Sequence, residues 1–250
     1  MKIAVTGKGG VGKTTLTTLL ARAAVSDDRR VYVIDADPNP NLAFALGLPE
    51  TPTPLIELKA LLLERLGALD SFFRLNPKVD DIPEQFAVER DGVRLLVLGG
   101  VRQGGAGCAC PENTFLKSLL QHLMLERQDW IFVDFEAGLE HLGRATARGV
   151  DALLIVVNPD RASVETAVRI ERLAKEIGIT RVYAIGNKVE DDAEIEWLRS
   201  GLPGLDFLGF LSDSAQVRRA VRSGSGIADP ELAARAKSIM EALLTRADTD

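Results

Sequence analysis

Residues 7–15 read Gly7-Lys8-Gly9-Gly10-Val11-Gly12-Lys13-Thr14-Thr15. This stretch satisfies the pattern G-x-x-x-x-G-K-[ST], and it follows an apolar run at residues 2–6 that is typical of a buried strand. A helical pattern begins at Lys13. Glycines let backbone N–H groups turn inward around phosphate oxygens, and the N-terminus of the next helix adds partial positive charge. The stretch therefore predicts a phosphate-binding loop between a strand and a helix.

The side chains of this loop have distinct expected roles. Lys13 is expected to reach the β and γ phosphates of a nucleotide, and Thr14 is expected to offer its hydroxyl to Mg²⁺. The loop residues expected to contact the nucleotide are Gly9, Gly10, Val11, Gly12, Lys13, Thr14 and Thr15.

Apolar runs rich in β-branched residues alternate with helical patterns along the whole chain. The runs cover residues 2–6, 30–35, 93–98, 130–134, 152–158, 181–186 and 206–210, and the main helical patterns cover residues 13–25, 112–125, 163–177, 191–199 and 231–245. This order predicts an α/β fold, with a mostly parallel twisted sheet of about seven strands and helices on both faces. We expect one domain over residues 1–250, with residues 48–90, which contain five prolines and a helical stretch near residues 55–66, as an insertion within it.

Composition limits the classes of function. The 250 residues are 46% hydrophobic, enough for a substantial core, and carry a net charge of −6. An acidic chain disfavours broad nucleic-acid binding, so we interpret the basic residues Arg218, Arg219 and Arg222 as a solvated helix face or a dimer rim. No apolar run approaches the roughly 20 residues of a membrane-spanning helix. Residues 1–5 lead directly into the glycine loop, so we expect a cytoplasmic protein without a secretory leader.

Carboxylates follow two of the predicted strands. Asp35 ends the second run and Asp37 lies two residues beyond it, and Asp134 ends the run at residues 130–134, as in a Walker B motif. Parallel strands place ligands at their carboxyl edge, so Asp134 is expected to hold Mg²⁺ through its water shell. Asp35 is expected to have a structural role, since aspartates after strands often cap helices.

The two cysteines form the pair Cys108-Ala109-Cys110, which is preceded by glycines and followed by Pro111. Proline suits the first turn of a helix, and a helix N-terminus lowers the pKa of a thiol and so favours the metal-binding thiolate. One chain offers two sulfur ligands, whereas a tetrahedral site needs four, so a twofold dimer would complete a Cys₄ site for Zn²⁺ or an iron–sulfur cluster. A bound Ni²⁺ would prefer a flatter arrangement, and two inert buried cysteines are the alternative.

The additional Lys8 makes the loop resemble the deviant Walker A motif of the P-loop ATPase group (SIMIBI class) that includes MinD, ParA and the nitrogenase iron protein. The resemblance implies a nucleotide-sandwiched dimer in which Lys8 reaches the partner's phosphates. It also implies that Asp37 lies at the Mg²⁺ site beside Thr14 and Asp134 and orients the attacking water. Asn187 and Lys188 would lie beside the adenine base of the nucleotide, and the amide of Asn187 would recognise the adenine edge.

A second resemblance is narrower. The run Leu75-Asn76-Pro77-Lys78-Val79-Asp80-Asp81-Ile82-Pro83-Glu84, together with the C-x-C pair, resembles the CooC-type nickel-insertion ATPases that mature carbon monoxide dehydrogenase. This resemblance implies a cytoplasmic homodimer that binds ATP or ADP with Mg²⁺ and holds Zn²⁺ or Ni²⁺ at the dimer interface through Cys108 and Cys110. The implied partner is the apo form of carbon monoxide dehydrogenase.

Two alternatives remain open. An electron-donating iron–sulfur reductase of the nitrogenase iron protein type would need a second cysteine beyond residues 136–138, where the chain reads Gly138-Leu139-Glu140-His141-Leu142. Cys110 would have to replace that ligand. A positioning ATPase of the MinD or ParA type would need a basic C-terminal membrane helix or a basic DNA-binding surface, and residues 244–250 end in an acidic sequence.

Overall fold

The predicted alternation of strands and helices is present in the computed structural model, which describes residues 1–67, 74–99, 111–125, 127, 129–135 and 147–247. The strands are β1 (Lys2–Gly7), β2 (Val31–Asp35), β3 (Val88–Arg90), β4 (Val93–Val97), β5 (Trp130–Asp134), β6 (Ala152–Val157), β7 (Val182–Val189) and β8 (Asp206–Ser212). The helices are α1 (Lys13–Ala24), α2 (Leu42–Leu46), α3 (Lys59–Leu66), α4 (Ile82–Phe86), α5 (Pro111–Leu125), α6 (Arg161–Ile177), α7 (Asp192–Gly201), α8 (Ala215–Ser223) and α9 (Pro230–Ala247). A short 3₁₀ helix covers Leu55–Glu57.

The strands form one sheet in the order β3-β4-β2-β5-β1-β6-β7-β8, and every pairing except β3 with β4 is parallel. The sheet therefore has eight strands where the sequence predicts about seven. The additional strand, β3, has three exposed residues and joins β4 through a tight turn at Asp91 and Gly92, both with positive φ. A strand this short and polar has no apolar run in the sequence from which it could be predicted.

The sheet has a hydrophobic core on each face. Side chains alternate along β1, so Ile3 and Val5 pack with α1 and α9, whereas Ala4 packs with α5 and α6 on the opposite face. This alternation explains why the parallel strands have nearly continuous apolar sequences, since both faces are covered. No helix in the described ranges is both long and apolar enough to cross a bilayer.

Residues 48–90 contribute to the same core. The helical stretch predicted near residues 55–66 is present as the 3₁₀ helix and α3, and Leu62, Leu66 and Ile82 are buried in the cluster that also contains residues of β5. An ion pair of 2.8 Å between Arg65 and Asp81 joins α3 to the residue before α4. Residues 68–73, between these two positions, lie outside the described part of the chain.

Candidate functional site

The predicted site residues that the structure describes lie at the carboxyl ends of four strands, β2, β5, β1 and β7, and β6 lies between β1 and β7 in the sheet. Asp35 and Asp134 are direct neighbours in the parallel pairing of β2 with β5, and Val5 of β1 pairs with Asp134. The phosphate loop leaves β1 at the centre of this row. The sheet therefore brings together residues that are far apart in the sequence, at the edge where such folds bind ligands.

The phosphate loop connects β1 to α1, as predicted. Gly12 occupies the N-cap of α1 with a φ of 99°, and a Cβ added there would collide with the amide nitrogen of Asn187, so both conformation and space favour glycine. The described residues place no side-chain cap on α1, and its first turn contains no acidic residue. The backbone N–H groups of this turn are therefore free of competing anions, as a phosphate site needs.

Thr14 and Asp134 are in direct contact beneath the loop. The Thr14 hydroxyl donates to Oδ2 of Asp134 at 2.6 Å, while Oδ1 is buried without a hydrogen-bond partner among the described residues. Burial raises the pKa of Asp134 to about 7; the hydrogen bond from Thr14 lowers it and the neighbouring Asp35 raises it further. A hydroxyl and an unsatisfied carboxylate oxygen are ligands suited to Mg²⁺. The donor set therefore fits the predicted ion.

Lys13 and the rest of the loop surround this pair. The Lys13 side chain is largely buried, and its ammonium donates to the backbone carbonyl of Lys8 at 3.4 Å, a contact long enough to exchange for a phosphate oxygen. Gly9 and Gly10 are exposed at the tip of the loop, and Thr15 is half-buried in the first turn of α1.

Asp35 organises the loop that carries Asp37. Its buried carboxylate accepts hydrogen bonds from the backbone N–H groups of Asn41 and Leu42 at 2.9 Å and of Asp37 at 3.2 Å. Burial raises the pKa of Asp35 to about 6, although these N–H groups lower it. Asp35 therefore has the structural role that the sequence suggests. Asp37 itself is half-buried and accepts a hydrogen bond from Asn39 N–H at 2.8 Å.

Lys8 forms an ion pair within its own chain. Its ammonium lies 3.1 Å from Oδ1 of Asp160, and the two side chains are 41% and 44% exposed. Asp160 also caps α6 by accepting from the N–H of Ser163 at 2.8 Å. Burial raises the pKa of Asp160, but the hydrogen bonds from Ser163 and Lys8 outweigh it and hold the pKa below its usual value.

No motif in the sequence assigns a role to Asp160. A signal for it exists, because Asp160 follows a buried strand at the ligand edge and precedes Ser163 at the spacing of a helix N-cap. Its partner could not be found in this way, because the contact depends on β6 lying next to β1.

Asn187 and Lys188 contact the phosphate loop itself. The amide nitrogen of Asn187 donates to the carbonyl of Val11 at 2.6 Å, and the ammonium of Lys188 donates to the carbonyl of Gly10 at 2.8 Å. The sequence predicts both residues just after a strand that ends at residue 186, but β7 continues to Val189. The adenine contact stays a prediction, and in this structure the amide donor that it would use is already engaged.

Cys108 and Cys110 lie outside the described residues, as do residues 136–146. Helix α5 begins at Pro111, as the sequence predicts. Among the residues whose placement is described, no group of three or more histidines, cysteines, aspartates or glutamates could hold a metal ion. The thiolate site therefore stays a prediction.

Comparisons with known proteins agree with this geometry. The family model for the CobQ/CobB/MinD/ParA nucleotide-binding domain matches residues 2–227. The chain is 41% identical to the carbon monoxide dehydrogenase accessory protein CooC of Rhodospirillum rubrum, over 98% of this chain and 97% of that protein. It is 40% identical to an uncharacterized ATP-binding protein of Methanocaldococcus jannaschii, over 91% of each. Both resemblances stated from the sequence are thus confirmed.

The fold resembles a solved structure as well. A chain of the MinC:MinD cell division protein complex of Aquifex aeolicus superposes with a TM-score of 0.70 at 22% identity, covering 97% of this chain and 95% of that one. At that identity the likeness concerns the fold, and it confirms the predicted α/β P-loop ATPase architecture.

Proposed function

Because the chain belongs to the CobQ/CobB/MinD/ParA nucleotide-binding domain family, we propose that it is an ATP-hydrolysing homodimer that assists nickel insertion into carbon monoxide dehydrogenase. The observation that carries the ATPase is the contact of Thr14 with a buried Asp134 that keeps one oxygen unpartnered. The identity to CooC along nearly the whole chain supports the maturation role.

The nucleotide chemistry follows from the residues at the strand ends. Mg²⁺, when bound, neutralises charge on the β and γ phosphates, and Thr14 and Asp134 would hold it. Lys13 gives up its long contact with the Lys8 carbonyl and binds phosphate oxygens instead. Asp37, on the loop that Asp35 organises, raises the pKa of Asp134 through its charge, and we assign it to the same Mg²⁺ site and to orienting the attacking water. Water adds to the γ phosphorus as its bond to the ADP oxygen breaks, giving ADP and phosphate.

Lys8 makes hydrolysis depend on dimerisation. A positive charge contributed by a second protein surface stabilises the charge that develops during phosphoryl transfer, as an arginine finger does. In the single chain Lys8 is held by Asp160, so this ion pair has to open before the ammonium reaches the partner's phosphates. Hydrolysis then waits for a second copy of the chain.

The proposed cargo site lies between the two copies. Two Cys108 and Cys110 pairs, one from each protomer, supply four thiolates for Zn²⁺ or for the nickel that is handed to the dehydrogenase. Closure around ATP brings the pairs together, and hydrolysis relaxes them. The family resemblance and the start of α5 directly after Cys110 support this arrangement.

Two lysine variants test the ATPase part of the proposal. We expect Lys13→Ala to abolish tight binding of Mg-ATP, and Lys8→Ala to bind Mg-ATP normally while turnover falls at least about 100-fold, in the range of a lost transition-state charge. Calorimetric binding and phosphate release measure the two effects. Lys59→Ala, an exposed lysine on α3, is the matched control. Turnover that survives in Lys8→Ala would disprove the role of Lys8 in the partner's site.

The maturation part needs the client. Nickel-deficient carbon monoxide dehydrogenase is incubated with Ni²⁺, ATP and the chain, and recovery of CO oxidation is followed. We expect faster recovery with wild type than with Lys8→Ala or without the chain. Equal recovery in all three would reject the maturation role and leave the ATPase intact.

A further inference from the structure

The carboxyl end of β7 contains a β-bulge beside the phosphate loop. In the pairing of β7 with β8, Asn187 lies opposite Leu211 and Val189 lies opposite Ser212, so Lys188 is an additional residue without its own partner position. Lys188 has a φ of 56°, in the left-handed region that residues with a Cβ rarely adopt. A strained backbone of this kind persists where the surrounding structure holds it, and such positions cluster at functional sites.

The bulge turns two successive side chains toward one loop. In a regular strand Asn187 and Lys188 would point to opposite faces of the sheet. Here the Asn187 amide donates to the carbonyl of Val11 at 2.6 Å, and the Lys188 ammonium donates to the carbonyl of Gly10 at 2.8 Å. The left-handed conformation of Lys188 therefore allows a second hydrogen bond from β7 to the phosphate loop.

These two contacts set the direction of the loop's N–H groups. Each peptide unit is planar, with its C=O and N–H pointing in opposite directions. Fixing the carbonyls of Gly10 and Val11 on the β7 side therefore aims the N–H groups of Val11 and Gly12 to the other side. The N–H of Val11 now makes a long contact of 3.4 Å with the carbonyl of Lys8, which a phosphate oxygen can replace. Gly10 is exposed, has a φ of 80° and has no side chain that could hold this part of the loop in place.

We propose that Lys188 is a positioning residue that binds the phosphate loop rather than the nucleotide, holding the Gly10 carbonyl outward so that the loop is formed before a nucleoside triphosphate arrives. This inference rests on the proposed ATP function and adds to it a residue that sets affinity through the loop. A preformed loop loses little conformational entropy when the nucleotide binds, so the nucleotide binds more tightly.

Lys188→Gly separates this role from a contribution to folding. Glycine accepts a positive φ without strain but has no ammonium. We expect the thermal midpoint of the nucleotide-free protein to stay level or rise, while the Kd for Mg-ATP increases about tenfold, in the range of a lost hydrogen bond to a charged group. Lys188→Arg, which retains a donor of similar reach, is expected to recover most of the affinity.

The matched control is Asp91→Gly, because Asp91 is the other described non-glycine residue with positive φ and lies in the β3–β4 turn away from the loop. We expect this variant to bind Mg-ATP as wild type does. Wild-type affinity in Lys188→Gly, no recovery in Lys188→Arg, or a loss of thermal stability in Lys188→Gly would each overturn the positioning role. Failure of the wild-type protein to bind Mg-ATP would instead overturn the proposed function itself.

Discussion

At the scale of single residues, Asp134 makes opposite contributions to folding and to binding. Its carboxylate is 2% exposed, with one oxygen bound to Thr14 and the other unpartnered among the described residues. A buried charge without full hydrogen bonding destabilises the nucleotide-free chain. The same unpartnered oxygen is available to a cation, so Mg²⁺ binding removes the cost that folding incurs.

This balance predicts the pH dependence of stability for Asp134→Asn. The folded pKa of about 7 lies above the unfolded value near 3.8, so the folded chain binds an additional proton between these values and wild-type stability falls as pH rises through this window. Without nucleotide, we expect the two proteins to be equally stable below about pH 4 and the variant to be more stable above pH 7, by up to about 4 kcal/mol. Urea unfolding at several pH values measures this difference. Asp206→Asn, at an exposed site, is the control, and parallel stability curves for Asp134→Asn and wild type would contradict the prediction.

At the scale of elements, the N-terminus of α6 restrains Lys8 in the single chain. Asn is as good an N-cap as Asp, so Asp160→Asn keeps the hydrogen bond from Ser163 N–H and removes the charge that holds Lys8. Both chains of the dimer release a Lys8–Asp160 ion pair, and a partly exposed ion pair contributes at most about 1 kcal/mol, so we expect ATP-dependent dimerisation to strengthen up to about 25-fold. Sedimentation of the chain with Mg²⁺ and a non-hydrolysable ATP analogue gives the dimer constant.

The control for Asp160→Asn is Asp191→Asn, because Asp191 caps α7 in the same way by accepting from Glu194 N–H at 2.9 Å. The control is expected to leave the dimer constant unchanged. A weaker dimer in Asp160→Asn would show that Asp160 supports the closed state instead of restraining Lys8.

The sequence predicted long elements well and short ones poorly. The main helices lie within two residues of their predicted bounds, because three or more turns give a clear apolar period. Helices α2 and α4 have five residues each, too few for such a signal. The phosphate loop was predictable because its chemistry is contiguous in the chain. The contacts of Lys8 and Lys188 were not, because they depend on strand adjacency and on a bulge.

At the scale of the whole molecule, nucleotide and metal should be linked through the dimer. Two ligands that both favour the closed pair of chains strengthen each other's binding by the same factor. With Mg²⁺ and a non-hydrolysable ATP analogue present, we expect Zn²⁺ or Ni²⁺ to tighten the wild-type dimer at least about tenfold, because the ion's four ligands come from two chains.

The double variant Cys108→Ser and Cys110→Ser separates the two linkages, because serine keeps the size of each side chain and removes the soft thiolate ligand. In sedimentation experiments, we expect its dimer constant to respond to the nucleotide analogue as wild type does and to be insensitive to Zn²⁺ and Ni²⁺. If neither Zn²⁺ nor Ni²⁺ changes the dimer constant of the wild-type protein, the shared thiolate site is removed from the proposal. If anaerobically purified wild-type protein absorbs at about 400 nm, the cysteine sulfurs are assigned to an iron–sulfur cluster. ATP hydrolysis would then drive electron transfer instead of nickel delivery.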